Sequence, residues 1–370
     1  MGHPPRQRTP INKGEFMKLG KKRSVSTRPV GTRPVGTRPV GTRPVGTRPW
    51  AVAGVLLAVT LAACGDDKKE ASSSGDGCKE LTGDAVTLAV NPWTGSAVNA
   101  FVAKTVIECQ LGTPVEIIDI DEYATWVGMD DGSIDAVLEV WPSGHAADYQ
   151  TYITEKGTVI DLGLLGPSAK IGWYVPKFIV DEHPELATWE GFQDPALAAL
   201  FATAETGDLG QFTMGDPSYV TYDEQIIANL GLPLRYVVAG SEAALLTSID
   251  QAIADNKPVL MQFWKPHWKH LEADLVEVAL PPVTPACEAS AASGDGLYAC
   301  DYPIDELMKA ANAGLEAKNP AVFKVLRALQ LTTDQQSEIA GYVDRDEMTP
   351  AAAAAKWVAD NPDVWGAWLG

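Results

Sequence analysis

Val86-Thr-Leu-Ala-Val90, Val115-Glu-Ile-Ile-Asp-Ile120 and Ile134-Asp-Ala-Val-Leu-Glu-Val140 are three short apolar runs, and the two intervals between them are helical in pattern. The first interval spans residues 96–110, with Ser96 read as its N-cap and Gly112 as its stop; the second spans 121–131 and is closed by Gly132. This alternation implies a parallel sheet with helices on its faces. In such sheets ligands gather beyond the carboxyl ends of the strands. Trp93, in Asn91-Pro-Trp-Thr-Gly95, follows the first run, and Trp141 follows the third. Both fall where a ligand would lie.

A second unit of the same kind begins at Ala169-Lys-Ile-Gly-Trp-Tyr-Val175. Strands are expected near 212–214, 235–238 and 259–263, with helices at 178–183, 222–229 and 242–255. Two of its strand ends carry aromatics, in Gly215-Asp-Pro-Ser-Tyr219 and Gln262-Phe-Trp-Lys-Pro-His-Trp-Lys-His270. After an apolar piece at 275–280 the tail reads as mostly helical, over 304–317, 320–328, 333–345 and 350–360. Rings that converge from strand ends suit a quaternary ammonium. That group has no N–H to donate, but ring faces attract it by about 0.5–2 kcal/mol each. An anionic end of the same ligand needs donors. His267 is the first candidate and Lys265 the second, and backbone N–H groups at Thr94 and Gly95 could also serve at the start of a helix.

Residues 1–63 hold twelve of the 29 Lys and Arg but one acidic residue, Glu15. From Cys64 onward the chain has 17 basic and 47 acidic side chains, a net charge near −30. Such a surface excludes nucleic acid as a partner. Four copies of Thr-Arg-Pro-Val-Gly fill residues 27–46, where proline at every fifth position blocks a helix. The apolar run at 50–63 is too short for a lasting span and has the length of a signal-peptide core. It stops at Leu61-Ala-Ala-Cys64-Gly65, which resembles a bacterial lipobox with Cys64 as the lipid anchor. Residues 64–83 read as anchor and flexible tether. Export places Cys78, Cys109, Cys287 and Cys300 in an oxidising space, where short loops favour the pairs Cys78–Cys109 and Cys287–Cys300. The Cys-x-x-Cys spacing of structural zinc sites is absent. Neither a metal nor a cofactor is expected, and no catalytic motif stands out.

Asn-Pro-Trp-Thr-Gly, Gly-Ser-Ile-Asp-Ala-Val-Leu-Glu-Val-Trp-Pro, Gly-Asp-Pro-Ser-Tyr and Phe-Trp-Lys-Pro-His-Trp occur in this order over about residues 84–310. Together they resemble the substrate-binding proteins of glycine betaine and proline betaine ABC importers. The resemblance implies a periplasmic-binding-protein-like α/β fold of type II, with two lobes, two crossovers and a ligand cleft between them. Residues 84–168 plus 270–370 would form the first lobe and 169–269 the second. Trp141, Trp264 and Tyr219 would form an aromatic cage, with Trp93 as a further wall. The family commonly has Trp where Tyr219 stands, so a cage of altered size and polarity is expected. The implied partners are a quaternary ammonium solute and an ABC permease with its ATPase. The implied location is the outer face of the bacterial cytoplasmic membrane. An exported enzyme acting on a choline-like or betaine-like compound, and a sensor lipoprotein with the same pocket, are the competing readings.

Overall fold

A computed structural model describes residues 77–370. The signal segment, the repeats, Cys64 and the tether up to residue 76 lie outside the described residues. The elements follow in the order β1 (Val86–Val90), α1 (Thr94–Leu111), β2 (Val115–Asp119), α2 (Glu122–Asp131), β3 (Ala136–Val140), β4 (Val159–Pro176), β5 (Gly210–Met214), α3 (Asp223–Asn229), β6 (Leu234–Val238), α4 (Glu242–Ala254), β7 (Leu260–Lys265), β8 (Leu275–Val278), α5 (Pro285–Ser293), β9 (Asp305–Asn312), α6 (Pro320–Ala328), α7 (Thr333–Asp344) and α8 (Pro350–Asp360), with short helical turns between them. Among the described residues no helix is long and apolar enough to cross a membrane.

The three opening strands form the expected parallel ladder, β1 lying between β2 and β3. Helices α1 and α2 end at Gly112 and Gly132, whose φ angles of 72° and 83° suit a residue without Cβ. The start of α1 differs from expectation. Its N-cap is Trp93, and the Ser96 hydroxyl instead accepts the Asn91 N–H at 2.9 Å, which folds the Asn-Pro-Trp turn back over the helix.

Strand order is β2-β1-β3-β9-β4-β7-β5-β6, with β8 also paired to β4. The first half of β4 pairs with β9 and the second half with β7 and β8, so one strand of 18 residues serves both lobes. The return crossing lies beside it, because Ala169 of β4 is paired with Asp305 at the start of β9. The β4–β9 ladder shifts register between Leu164 and Ser168, where Gly166 takes a φ of 126°.

Two expectations are corrected here. Residues 304–317 read as a helix because Glu, Leu, Met, Lys and Ala all favour one. The segment 305–312 is instead an antiparallel strand, β9, inserted between β3 and β4, and the sheet pairing overrides local propensity. The second lobe also runs further than residue 269. Cys287, Tyr298, Cys300 and Tyr302 pack into one apolar cluster with Trp173, Phe212 and Ile226, so the chain leaves this lobe after Tyr302.

The first lobe's core lies between the sheet, α1 and the tail helices, through residues such as Val102, Val106, Leu326, Ile339 and Trp357. The same cluster includes Leu245, Ile249, Phe263 and Trp264 of the second lobe, so the lobes are packed against each other. Cys78 is bonded to Cys109, and Cys287 to Cys300. The second bridge closes a loop of sequence separation 13 on the second lobe's core. Chain-entropy reasoning gives such a loop about 3 kcal/mol. Replacing both Cys287 and Cys300 by Ser should therefore lower the melting temperature by several degrees in calorimetry. Ligand affinity should change little, since neither cysteine lines the cavity between the strand ends.

Candidate functional site

The carboxyl ends of β1, β3, β5 and β7 meet between the lobes, and each delivers an aromatic side chain. Trp93 and Trp141 come from the first lobe, Tyr219 and Trp264 from the second, and all four line one cavity of about 40 Å³. That is more room than a single water needs. Tyr219 stands edge-on to both Trp93 (5.9 Å between centroids, 77°) and Trp264 (5.7 Å, 87°). Its hydroxyl donates to the Pro92 carbonyl at 3.1 Å, which ties the second lobe to the turn after β1. Glu122 and Gln262 supply polar atoms to the same wall.

What holds the two first-lobe rings is a carboxylate that the sequence reading passed over. Glu139 is the fourth residue of β3, a strand buried along its whole length. Its Oε1 accepts the indole N–H of Trp93 (2.7 Å) and of Trp141 (3.0 Å). Its Oε2 accepts from the side-chain amides of Asn99 (2.7 Å) and Gln336 (2.6 Å). Both first-lobe indole N–H groups thus point at Glu139. Gly95 makes room for this arrangement, since a Cβ there would lie 2.9 Å from Glu139 Oε2 and 3.0 Å from the Gln336 amide nitrogen. Burial pushes the Glu139 carboxyl up to about 7, against the opposing pull of the Trp93, Trp141 and Gln336 N–H groups. The signal available in the sequence was a charge between Leu138 and Val140 near the end of an apolar parallel strand, two residues before a tryptophan.

A second cavity adjoins the first behind Trp141 and Trp264, and Thr94, Gly95, His267, Glu139, Glu242 and Gln336 line it. His267 does not stand free there. Its Nδ1 accepts the Lys269 N–H (3.1 Å), so the proton is on Nε2, which donates to Glu242 Oε1 at 3.0 Å. The Thr94 backbone N–H donates to Glu242 Oε2 at 2.6 Å. Glu242, from the start of α4, was read only as part of a helix. Asp344 is beside it and accepts from the Thr94 hydroxyl and the Trp268 indole, both at 2.7 Å. Glu242, His267 and Asp344 each bring one atom within 4.8 Å of the others, but these hydrogen bonds already engage both ring nitrogens and all four carboxylate oxygens.

Lys265 lines neither cavity. As the last residue of β7 it faces outward, half exposed, with Nζ 3.4 Å from Glu277 and 5.3 Å above the Tyr174 ring. Trp268 is core, held by Asp344. A further polar tie spans the cleft. Glu122 accepts the Val220 N–H from the second lobe at 3.0 Å and pairs with His145 at 2.8 Å. Burial alone would lower the His145 imidazole, but Asp148 and Glu122 outweigh it and raise the group to about 9.

The raised Glu139 carboxyl has a testable consequence. Its folded value lies above its ordinary 4.5, so its stabilising contribution is complete below about 4.5 and is lost as pH rises through about 7. Denaturant titrations should show wild-type stability falling relative to Glu139→Gln between these limits and running parallel above them. Cation affinity follows the folded carboxyl alone, so it should rise as pH passes through about 7 in the wild type and stay flat in the variant.

Residues 84–360 match the family described as the substrate binding domain of ABC-type glycine betaine transport systems, OpuAC. The chain is 27% identical over 285 residues to the trimethylamine N-oxide-binding protein of Pelagibacter ubique (strain HTCC1062), covering 76% of this chain and 89% of that protein. It shares its fold with a glycine betaine/L-proline-binding protein, ProX, of Borrelia burgdorferi (TM-score 0.63, 20% identity, 78% and 97% of the two chains). An ABC-transporter choline-binding protein in complex with choline is similar to a like degree (0.62, 19%, 77% and 91%). These solved structures have the two-lobed periplasmic-binding-protein architecture expected above. The chain belongs to the family of substrate-binding domains of ABC-type glycine betaine transport systems, and so to the extracytoplasmic receptors of importers.

Proposed function

We propose that this receptor holds the methylated ammonium end of its solute among Trp93, Trp141, Tyr219 and Trp264 and hands the solute to a permease driven by an ATPase. The observation that carries the reading is the convergence of four rings, two from each lobe, on one cavity with an acidic wall. Ring faces and carboxylates both attract a cation, and the rings do so without asking it for an N–H. The trimethylamine N-oxide that names the Pelagibacter relative carries the same trimethylated nitrogen. Cys64, as a diacylated N-terminus, would keep the receptor on the outer face of the cytoplasmic membrane, with the segment after it as a leash. The chain acts as a binder and not as an enzyme: the side chains around the rings are occupied in positioning one another.

Calorimetric titration with tetramethylammonium, choline, glycine betaine, carnitine and trimethylamine N-oxide tests the reading. At least one should bind at micromolar concentration and be recovered unchanged. Trp264→Leu keeps an apolar side chain in the core but removes the ring face. It should weaken tetramethylammonium by about tenfold while the melting temperature moves by only a few degrees. Unaltered binding in this variant, or turnover of the ligand, would refute the proposal.

A further inference from the structure

The second cavity contains donors that a betaine carboxylate would need, and the protein has already given two of them to a carboxylate of its own. The Thr94 backbone N–H and the His267 Nε2–H, from opposite lobes, both point at Glu242 (2.6 and 3.0 Å). Gly95, next along the chain, lies close against Glu139, whose Oε2 a Cβ there would approach to 2.9 Å. We infer that Glu242 stands in for a ligand carboxylate and sets the receptor's specificity against carboxylate-bearing betaines, in favour of a methylated ammonium whose far end is neutral and donates a hydrogen bond, as a choline hydroxyl does. The inference rests on the ring cavity holding the ammonium end.

Two independent observations support it. First, the residues lining the two cavities include Glu122, Glu139 and Glu242 but, among the described residues, no Lys or Arg. An entering carboxylate would meet like charge, with Thr94 N–H and His267 Nε2–H already engaged, a costly arrangement in a buried site. Second, the buried side-chain atoms left open on the two cavity walls are acceptors. Gln336 Oε1 and Gln262 Oε1 are buried without a partner among the described residues, one lining each cavity. The Gln336 amide is oriented by its N–H bond to Glu139, so its oxygen is the free end. A buried acceptor without a donor costs about 1–3 kcal/mol, and a ligand O–H would remove that cost where a carboxylate could not.

The experiment is calorimetry on the whole protein with tetramethylammonium, choline and glycine betaine, for the wild type, Glu242→Gln and Glu242→Ala. Wild type should bind choline at least about tenfold more tightly than glycine betaine. Both variants should gain about tenfold or more for glycine betaine, Ala the more because it frees both donors, while tetramethylammonium changes less than about threefold. Glycine betaine binding the wild type as tightly as choline would overturn the inference and leave the ring cavity standing. So would glycine betaine unchanged in both variants while tetramethylammonium still binds. If neither tetramethylammonium nor choline binds the wild type, the ring-cavity reading fails and this inference falls with it. Conservation of the choline-to-betaine ratio in a variant with normal melting would likewise show that Glu242 is not the discriminator.

Discussion

A carboxylate sealed inside a sheet must be surrounded by donors, and at Glu139 that requirement organises the site. Four N–H groups arrive from the turn after β1, from α1, from the end of β3 and from α7. Each is a hydrogen bond to a charged group, worth about 1.5–3 kcal/mol when well made. Together they fix two indole planes relative to each other and to the tail helices. Those two rings are therefore held by the protein itself. A cage that holds its shape spends less ordering entropy on binding than one assembled around the ligand.

Closure is held differently. Much of what crosses the cleft is single polar contacts: Tyr219 to the Pro92 carbonyl, Val220 to Glu122, Thr94 to Glu242, Trp268 to Asp344. Water can replace each of them when the lobes part, so each contributes only modestly to the closed state. Apolar contact across the cleft comes from Phe263 and Trp264 in the shared core. A receptor that must release its cargo to a permease needs lobes whose contacts are reversible in this way.

Much of this was legible in the sequence. The strand–helix alternation of residues 86–140 gave the parallel ladder, and tryptophans placed directly after strands gave the rings. Motifs with rigid local geometry were enough for that. The misses have a common cause. Strand β9 looked helical because its residues are helix formers, and only its partners β3 and β4 make it a strand. His267 looked like a donor for the ligand's anionic end, but its Nε2–H goes to Glu242, 25 residues away. Glu139 and Gln336 are 197 residues apart. Burial and long-range partners decide what a polar side chain is for, and neither is written locally. Lys265 is the converse case. It sits beside Trp264 in the chain, but alternation along β7 turns it away.

The adjacent crossings of β4 and β9 bear on how the receptor signals. Two extended strands hydrogen-bonded side by side, Ala169 against Asp305, resist stretching and sliding but can bend about the line where they meet. The irregular register at Leu164–Ser168, with Gly166 at its centre, is the weakest part of that ladder. A joint of this form leaves the two halves a single soft coordinate, a rotation, with little freedom to twist or drift apart. Any motion of one lobe on the other is then steered toward a change of that one angle.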